Sequence, residues 1–250
     1  MNTHNRIHWQ TGMEITPQVL TDADNFHIEQ RNLIRRLQVM PCYGLLPESD
    51  FNADISIKGD TVIVKNLLIH AITSQGEQID KEYVEEDMSQ YVKDSLLYLD
   101  NTFAMPIAKI NSQIVDCDYI PPCISINSNK KLLDIFAEIC EKTSTIAEQI
   151  KEQEKYKPLL LPFLLLELEL KNYSTFESPN TLFLLMKKIA MLCKLNIPET
   201  LENTELLCNE IYCHTDMYSV FSVVLGCLYE LEEKTLEEEK PKIQRIRIGK

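Results

Sequence analysis

The chain has 250 residues, with 25 Lys or Arg against 38 Asp or Glu, so its formal net charge is −13 at pH 7. A surface of that sign repels phosphate backbones and anionic lipids, which argues against binding to nucleic acid or to a membrane surface. No apolar run approaches the ~20 residues that span a bilayer, and the polar N-terminus lacks the apolar stretch of a signal peptide. The composition therefore predicts a cytoplasmic protein without direct membrane insertion.

The residues that commonly carry chemistry form no familiar pattern. The eight cysteines are scattered, without a Cys-X-X-Cys pair, and the chain is longer than disulfide-rich secreted modules. Cys208, Cys213 and His214 are the best candidate metal ligands, but their spacing matches no common zinc pattern. A nucleophile elbow, a phosphate-binding glycine loop and a dinucleotide fingerprint are all missing from the sequence. We predict reduced cysteines, no cofactor, no metal and no catalytic residue.

The spacing at which apolar residues recur changes near residue 127. Before that point they recur mostly every second residue, as in strands. The N-terminal half begins with a strand-like segment, Arg6–Trp9. A helix is then predicted from Thr16-Pro17, where a capping hydroxyl precedes a proline at the first helical position. One face of this helix carries apolar side chains, at Leu20, Ala23, Phe26, Leu33, Ile34 and Leu37.

Several short strands are predicted after this helix. Apolar and polar residues alternate on both sides of Gly59-Asp60, which has the composition of a two-residue hairpin turn. Short strands separated by turn signals indicate a β-sandwich or a barrel-like sheet. The other strand candidates are Leu67–Ile72, Leu96–Asp100, Gln113–Cys117 and Cys123–Ile126.

Beyond residue 127 the period is three to four, as in helices. A helix of about 25 residues around a heptad stripe begins near Leu132, and a last helix repeats the stripe from Met217. Shorter helices are predicted at Pro158–Lys171 and Pro179–Leu195. Such stripes need a partner, which is either the chain's own helical bundle or copies of the chain around a symmetry axis. The residues assigned to this neck or trimer packing are Leu132, Phe136, Ile139, Ile146, Ile150, Val220, Val224 and Leu231.

The predicted fold class is α+β, with three parts. Residues 1–126 form a β-rich domain, residues 127–239 form a helical domain, and residues 240–250 form a C-terminal tail with five cations and no acid. A solvated chain end explains such a tail, and an acidic partner is the alternative.

Three segments, in order, resemble the TssK family of type VI secretion baseplate proteins. In Ile7–Gln18 a hydrophobic residue and a tryptophan precede a Gly-Met step, and a Pro-Gln pair starts the first helix. Tyr43–Leu45 resembles the family's aromatic-Gly-Leu motif, and Tyr119–Ile124 resembles the proline-containing strand that closes its first domain. The helix near Leu132 follows where the family has its bundle. The resemblance covers roughly residues 6–155.

The resemblance implies a homotrimer with a β-sandwich shoulder and a helical-bundle neck. The shoulder would bind the TssF–TssG wedge of the baseplate, and the C-terminal end would reach a membrane-complex protein. The chain departs from the family in two ways. Val19 and Leu20 stand where most members have a histidine and an aromatic residue, and the chain is much shorter than typical members, without most of the C-terminal head.

The apolar N-terminal segment is the predicted wedge-binding site, because an apolar chain end needs to be covered and tryptophan often carries binding energy at interfaces. The alternative is a first strand that completes the chain's own sandwich core. The residues of this site are Ile7, Trp9, Met13, Ile15 and Pro17. A phage-like receptor-binding or fibre protein is the second function considered, and an enzyme of unrecognised type is the third.

Overall fold

The computed structural model describes residues 6–40, 42–47, 54–99, 105–111, 114–196 and 201–237. Helices and antiparallel strands are both present, which confirms the predicted α+β class. The chain divides into two compact units, Met1–Asn129 and Lys130–Lys250. The basic tail at residues 240–250 lies outside the described residues.

The first unit begins with residues 6–16, which we call the N-terminal arm, followed by helix α1 (Pro17–Val39). The Thr16 hydroxyl accepts a hydrogen bond from the Val19 N–H at 3.3 Å, so the predicted helix start is confirmed. The predicted strand at Arg6–Trp9 is wrong. Its four residues pair with no strand in the described parts of the chain, and a strand needs a neighbour to satisfy its backbone groups.

Strand β3 is at the centre of the first sheet, with β1 and β2 along one side and β4 along the other. Lys58 pairs with Thr61, so the hairpin turn at Gly59-Asp60 is confirmed. All the pairings are antiparallel. The strands are β1 (Gly44–Leu45), β2 (Asp54–Lys58), β3 (Thr61–Ile72) and β4 (Gln78–Asp87).

Two features of this sheet differ from the prediction. The segments at 61–64 and 67–72 belong to one strand, which continues through Asn66 at a φ of 50°. Strand β4 was not predicted, because only Ile79 and Tyr83 among its residues are buried and they lie four positions apart. Its other residues are exposed and mostly acidic, and its outer edge pairs with no described strand.

A second antiparallel sheet follows, in the order β5-β6-β7-β8. Its strands are β5 (Val92–Lys93), β6 (Leu96–Tyr98), β7 (Pro106–Asn111) and β8 (Ile114–Val115). The Tyr83 hydroxyl of β4 donates to the Leu99 carbonyl at 3.3 Å and so connects the two sheets. The core of this unit includes Leu67, Ile69, Leu97, Ile107 and Ile120, all fully buried.

The predicted strand at Cys123–Ile126 is reduced to a single parallel bridge between Cys123 and Leu45, followed by a 3-10 turn at Ile126–Ser128. This bridge brings together two of the segments on which the family resemblance rests. The Leu45 N–H donates to the Pro122 carbonyl at 2.8 Å, and the Ile124 N–H donates to the Leu45 carbonyl at 3.1 Å. Segments 43–45 and 119–124 are therefore neighbours in the fold.

The second unit is helical. Helix α2 packs against α3 and α6, and α5 packs against α4 and α6. Four of the helices were predicted, while the short α5 was missed because its eight residues carry only two buried side chains, Thr204 and Leu207. The helices are α2 (Lys130–Lys151), α3 (Lys157–Asn172), α4 (Pro179–Asn196), α5 (Glu202–Asn209) and α6 (Met217–Glu237).

Polar side chains form contacts between α2 and its neighbouring helices. Lys142 of α2 forms an ion pair with Glu232 of α6 at 2.7 Å, and its ammonium lies 4.6 Å from the ring centre of Tyr229. Ser144 donates to Glu167 of α3 at 3.1 Å. The Lys171 ammonium beside Glu167 holds the pKa of that carboxyl below its ordinary value. These contacts align α2 with both of its neighbours.

Candidate partner-binding surfaces

The N-terminal arm is the first candidate surface. Its only turn is closed by the Met13 N–H, which donates to the Gln10 carbonyl at 3.1 Å. Trp9, the single tryptophan of the chain, is 54% exposed and Ile15 is 64% exposed. Met13 and Pro17 are also exposed, and Ile7 is half-buried. Four of the predicted wedge residues thus lie on an open arm and the fifth, Pro17, begins α1, so that none of them lies in a core strand.

Helix α1 continues the exposed apolar surface. Its apolar face has the spacing of a helix face that packs on a core, yet part of it is exposed. Six positions recur at alternating steps of four and three, which is the spacing of a coiled-coil seam. The first three are half-buried and the last three are exposed. We call them the α1 stripe: Val19, Ala23, Phe26, Gln30, Leu33 and Leu37.

A different side of α1 rests on its own unit, and that side is polar. Its half-buried residues include Asp22, Asn25, Glu29, Asn32 and Arg36. No residue of α1 whose side chain is described is fully buried. The covered part of the helix is therefore mostly polar, apart from Val19, Ala23 and Phe26. The second half of its apolar side, with Leu33 and Leu37, stays open, unlike the apolar side of an ordinary surface helix.

Helix α1 is fixed against the turn between β3 and β4. A Cβ atom added at Gly76 would lie 1.9 Å from the Asn32 carbonyl oxygen, so only glycine allows this close approach. Beside it, the Arg35 guanidinium donates to the Gln78 side-chain carbonyl at 2.6 Å. These backbone and side-chain contacts fix which side of the helix stays open.

The predicted neck or trimer residues occupy the interior of the helical unit. In the single chain seven of them are buried and Phe136 is half-buried, its ring centre 5.6 Å from that of Tyr173. The two heptad stripes are therefore covered within one chain. Of the two partners that the sequence left open, this burial corresponds to the chain's own helical bundle. A contribution of these residues to a trimer stays a prediction. The buried seven are Leu132, Ile139, Ile146, Ile150, Val220, Val224 and Leu231.

The sequence analysis missed a second open apolar surface on the helical unit. Exposed side chains of α3 and α4 border a groove of about 700 Å³ that is lined in part by Tyr173 and Lys188. The only sequence signal for it is that α3 and α4 have more apolar residues than one buried face needs. Leu168, Leu184 and Met191 line the groove, and Leu161, Leu165 and Leu195 are further exposed apolar residues of the same two helices.

The three candidate metal ligands have other contacts. His214 Nδ1 lies 2.9 Å from the Tyr212 hydroxyl, and Cys213 Sγ lies 3.5 Å from the Thr215 hydroxyl. Cys208 is half-buried. Within the described ranges, no three His, Cys, Asp or Glu side chains are grouped so that they could hold a metal ion.

All eight cysteines are free thiols, and their burial predicts their reactivity. Burial raises the pKa of Cys227 to about 11 and raises the pKa of Cys123 and Cys193 further. Because the thiolate is the reactive form, these thiols should resist labelling. We expect Ellman's reagent to label the exposed Cys117 and Cys213 first in the native protein. Mass spectrometry identifies the labelled sites, and rapid labelling of a buried cysteine before unfolding would contradict the fold.

No protein-family profile matches the chain, and no curated protein matches it. Solved structures do match. A chain of the TssK–TssF–TssG baseplate subcomplex of a type VI secretion system aligns with a TM-score of 0.67 and 14% identity, over 94% of this chain and 100% of that one. TssK from the EAEC type VI secretion system, bound to a nanobody, aligns with a TM-score of 0.60 and 13% identity, over 86% and 99%.

This chain has a TssK-like fold. A crystal structure of TssK gives the same result, with a TM-score of 0.64 and 11% identity, over 91% of this chain and 72% of that one. The likeness to TssK structures extends through both units, since a match to 94% of the chain cannot be confined to either. None of the helices in the described parts of the chain is both long and apolar enough to cross a membrane.

Proposed function

We propose that this chain is a structural adaptor of a type VI secretion baseplate and not an enzyme. In this role it is a cytoplasmic, trimeric connector that binds a TssF–TssG wedge and links the baseplate to a membrane-complex protein through its C-terminal end. The observation that carries the proposal is the fold likeness to a whole chain of the TssK–TssF–TssG subcomplex, over 94% of this chain.

The two units correspond to the parts that such an adaptor needs. The first unit, with its two antiparallel sheets, serves as the shoulder, and the helical second unit serves as the neck. An adaptor functions through its shape and its contact surfaces, and the exposed arm and the α1 stripe offer apolar contact area of this kind. In the described residues beyond 196 the structure is helical, without the β-rich recognition domain expected of a receptor-binding protein.

The N-terminal arm is the proposed wedge-binding site. Replacing Ile15 by Asp places a charge in an exposed apolar segment, so it should preserve the fold and abolish co-purification with TssF and TssG from the same cell. Trp9→Ala should weaken that co-purification at least tenfold, since a buried interface tryptophan is commonly worth about 2 kcal/mol or more. Quantitative pull-down measures both effects.

Ile114 of β8 provides a matched control, because it is 71% exposed and lies in the same unit. Ile114→Asp should bind the wedge normally. If Ile15→Asp and Trp9→Ala also bind normally, the arm is not the wedge site. If the wild-type chain fails to bind TssF and TssG, the adaptor proposal itself is wrong.

A further inference from the structure

The turn between β3 and β4 is held in one shape by its own hydrogen bonds. The hydroxyl of Thr73, a buried residue directly after β3, accepts from the Gln75 and Glu77 N–H groups at 3.2 and 3.1 Å. The Gly76 N–H donates to the Thr73 carbonyl at 2.9 Å, and the Thr73 N–H donates to the Glu77 carbonyl at 2.9 Å. Because these groups are satisfied within the turn, it forms a firm support for whatever lies on it.

Helix α1 lies on this turn with its backbone. A Cβ atom added at Gly76 would lie 1.9 Å from the Asn32 oxygen and 3.0 Å from the Arg36 nitrogen, so the glycine faces one turn of the helix. Both neighbouring atoms belong to the main chain, which cannot rotate away as a side chain can. The contact therefore fixes how close α1 lies to the hairpin.

A chain of side chains continues the contact from α1 across both strands of the hairpin. The Arg35 guanidinium donates to the Gln78 side-chain carbonyl at 2.6 Å, and the Gln78 amide donates to Asp80 at 2.7 Å. Asp80 Oδ1 lies 2.7 Å from His70 Nδ1 on β3. These bonds are exposed and individually weak, but they fix the rotation of α1 about its own axis.

Burial contributes less to the position of α1 than it does for most surface helices. The covered part of the helix is mostly polar, and no α1 residue whose side chain is described is fully buried. The position of α1 therefore depends to an unusual degree on the contacts at residues 32–36. These contacts lie in the C-terminal half of the helix.

The N-terminal arm lies at the other end of α1. From Asn32 back to Thr16 the helix measures about 24 Å, at ~1.5 Å per residue. A small tilt of α1 on the turn therefore becomes a displacement of several ångströms at Ile15 and Trp9. An interface segment that is not already in place has to be ordered on binding, which lowers its affinity.

We propose that the β3–β4 turn positions the N-terminal arm for its partner, with Gly76 and Gln78 as positioning residues that act through α1. The identity of the partner, the TssF–TssG wedge, rests on the function proposed above. The attachment of α1 to the turn rests on the contacts at Gly76, Asn32 and Arg35 alone. Neither positioning residue belongs to the predicted wedge site.

Gly76→Ala should loosen α1, and Gly59→Ala is its matched control. Both glycines have a positive φ, of 85° and 61°, so alanine strains the backbone at either position, but only at Gly76 would the new methyl group meet α1. Hydrogen exchange followed by mass spectrometry should show α1 amides exchanging about tenfold faster in Gly76→Ala than in the wild type. They should keep the wild-type rate in Gly59→Ala, whereas a general loss of stability would speed them in both variants alike.

Pull-down of the same two variants measures the effect on the arm. Gly76→Ala should bind TssF and TssG about tenfold more weakly, although every arm residue is unchanged, because the arm is no longer held in place before binding. Gly59→Ala should bind normally. Unchanged α1 exchange in Gly76→Ala, or wedge binding equal to that of the wild type, would overturn the inference.

Gln78→Leu tests the side-chain bonds without altering the backbone. It should speed α1 exchange and weaken wedge binding, each by less than Gly76→Ala. Gln75→Leu is the matched control, because Gln75 is exposed in the same turn and its substitution leaves the bonds of Gln78 in place. Equal effects of the two substitutions would contradict the role given to Gln78.

A double variant separates positioning from direct contact between the turn and the wedge. If the turn acts through the arm, Trp9→Ala should weaken binding less in a Gly76→Ala protein than in the wild type, since the displaced arm has already lost part of its contact. If the turn touches the wedge itself, the two losses should add, and the inference is wrong.

Failure of this inference is distinguishable from failure of the proposed function. A wild-type chain that binds TssF and TssG no better than Gly76→Ala contradicts the positioning role and leaves the adaptor role intact. A wild-type chain that binds neither protein contradicts the adaptor role. In that case faster α1 exchange in Gly76→Ala still supports the attachment of α1 to the turn, and unchanged exchange contradicts it.

Discussion

Ile146→Asp should unfold the helical unit. Ile146 lies in α2 with no exposed surface, and α2 packs against both α3 and α6. An unpaired carboxylate in such a position costs several kcal/mol, a large part of the ~5–15 kcal/mol by which a typical domain is stable. Far-UV circular dichroism should show loss of most helical signal at 25 °C or a melting transition far below that of the wild type.

Phe136→Asp and Ile146→Val are the matched variants. Phe136 belongs to the same stripe but is half-buried beside Tyr173. The carboxylate introduced by Phe136→Asp can therefore stay partly hydrated, and the loss of stability should be smaller than for Ile146→Asp. Ile146→Val removes one methylene and should cost about 0.5–1.5 kcal/mol. If Ile146→Asp melted with the wild type, the packing of α2 described above would be wrong.

Gly44→Ala should be the most damaging single-methyl change in the first unit. Gly44 has a φ of 123°, and a Cβ atom there would lie 2.0 Å from the Pro122 oxygen and 2.8 Å from the Cys123 nitrogen. These are backbone atoms, which no side-chain rotation can move. Strand β1 would have to shift and lose its two hydrogen bonds to segment 122–124, a loss of roughly 2–4 kcal/mol including the backbone strain.

Gly59→Ala separates the effect of the clash from that of the backbone conformation. Gly59 also has a positive φ, of 61°, but no atom lies within 4 Å of the added Cβ. Its substitution should cost only about 1–2 kcal/mol. Chemical denaturation of both variants measures the difference, and equal losses would show that residues 44 and 122 do not approach as closely as described.

The sequence predicts elements whose signal is local. The helix start at Thr16-Pro17, the hairpin at Gly59-Asp60 and the heptads of α2 and α6 each depend on neighbouring residues, and all four are present. Strand β4 has no such signal. Its pairing with β3 is decided by long-range contact, and the polar residues between Ile79 and Tyr83 give no alternating pattern.

The candidate surfaces could be predicted only in part, for a similar reason. The composition of the arm, with Trp9 and Ile15, marks it as apolar, but whether such a segment is a core strand or an open arm depends on where the sheets are. An apolar stripe likewise does not reveal what covers it. The stripe on α2 is covered by its own chain and the stripe on α1 is partly open, although the two have the same spacing.

The acidic outer strand β4 also bears on how the protein stays in solution. The outer edge of β4 pairs with no strand among the residues that the structure describes, and such an edge is a template for another strand. Val84 is exposed in the middle of β4. Asp80, Glu82 and Glu86 place like charges along this edge, so two copies that approached edge to edge would repel each other. The hydrogen bond from His70 holds the pKa of Asp80 below its ordinary value, so this carboxylate keeps its charge as the pH falls. We therefore expect the negative charge that disfavours nucleic acid as a partner also to disfavour edge-to-edge association of this sheet, and strong acid, which neutralises the carboxylates, to remove that effect.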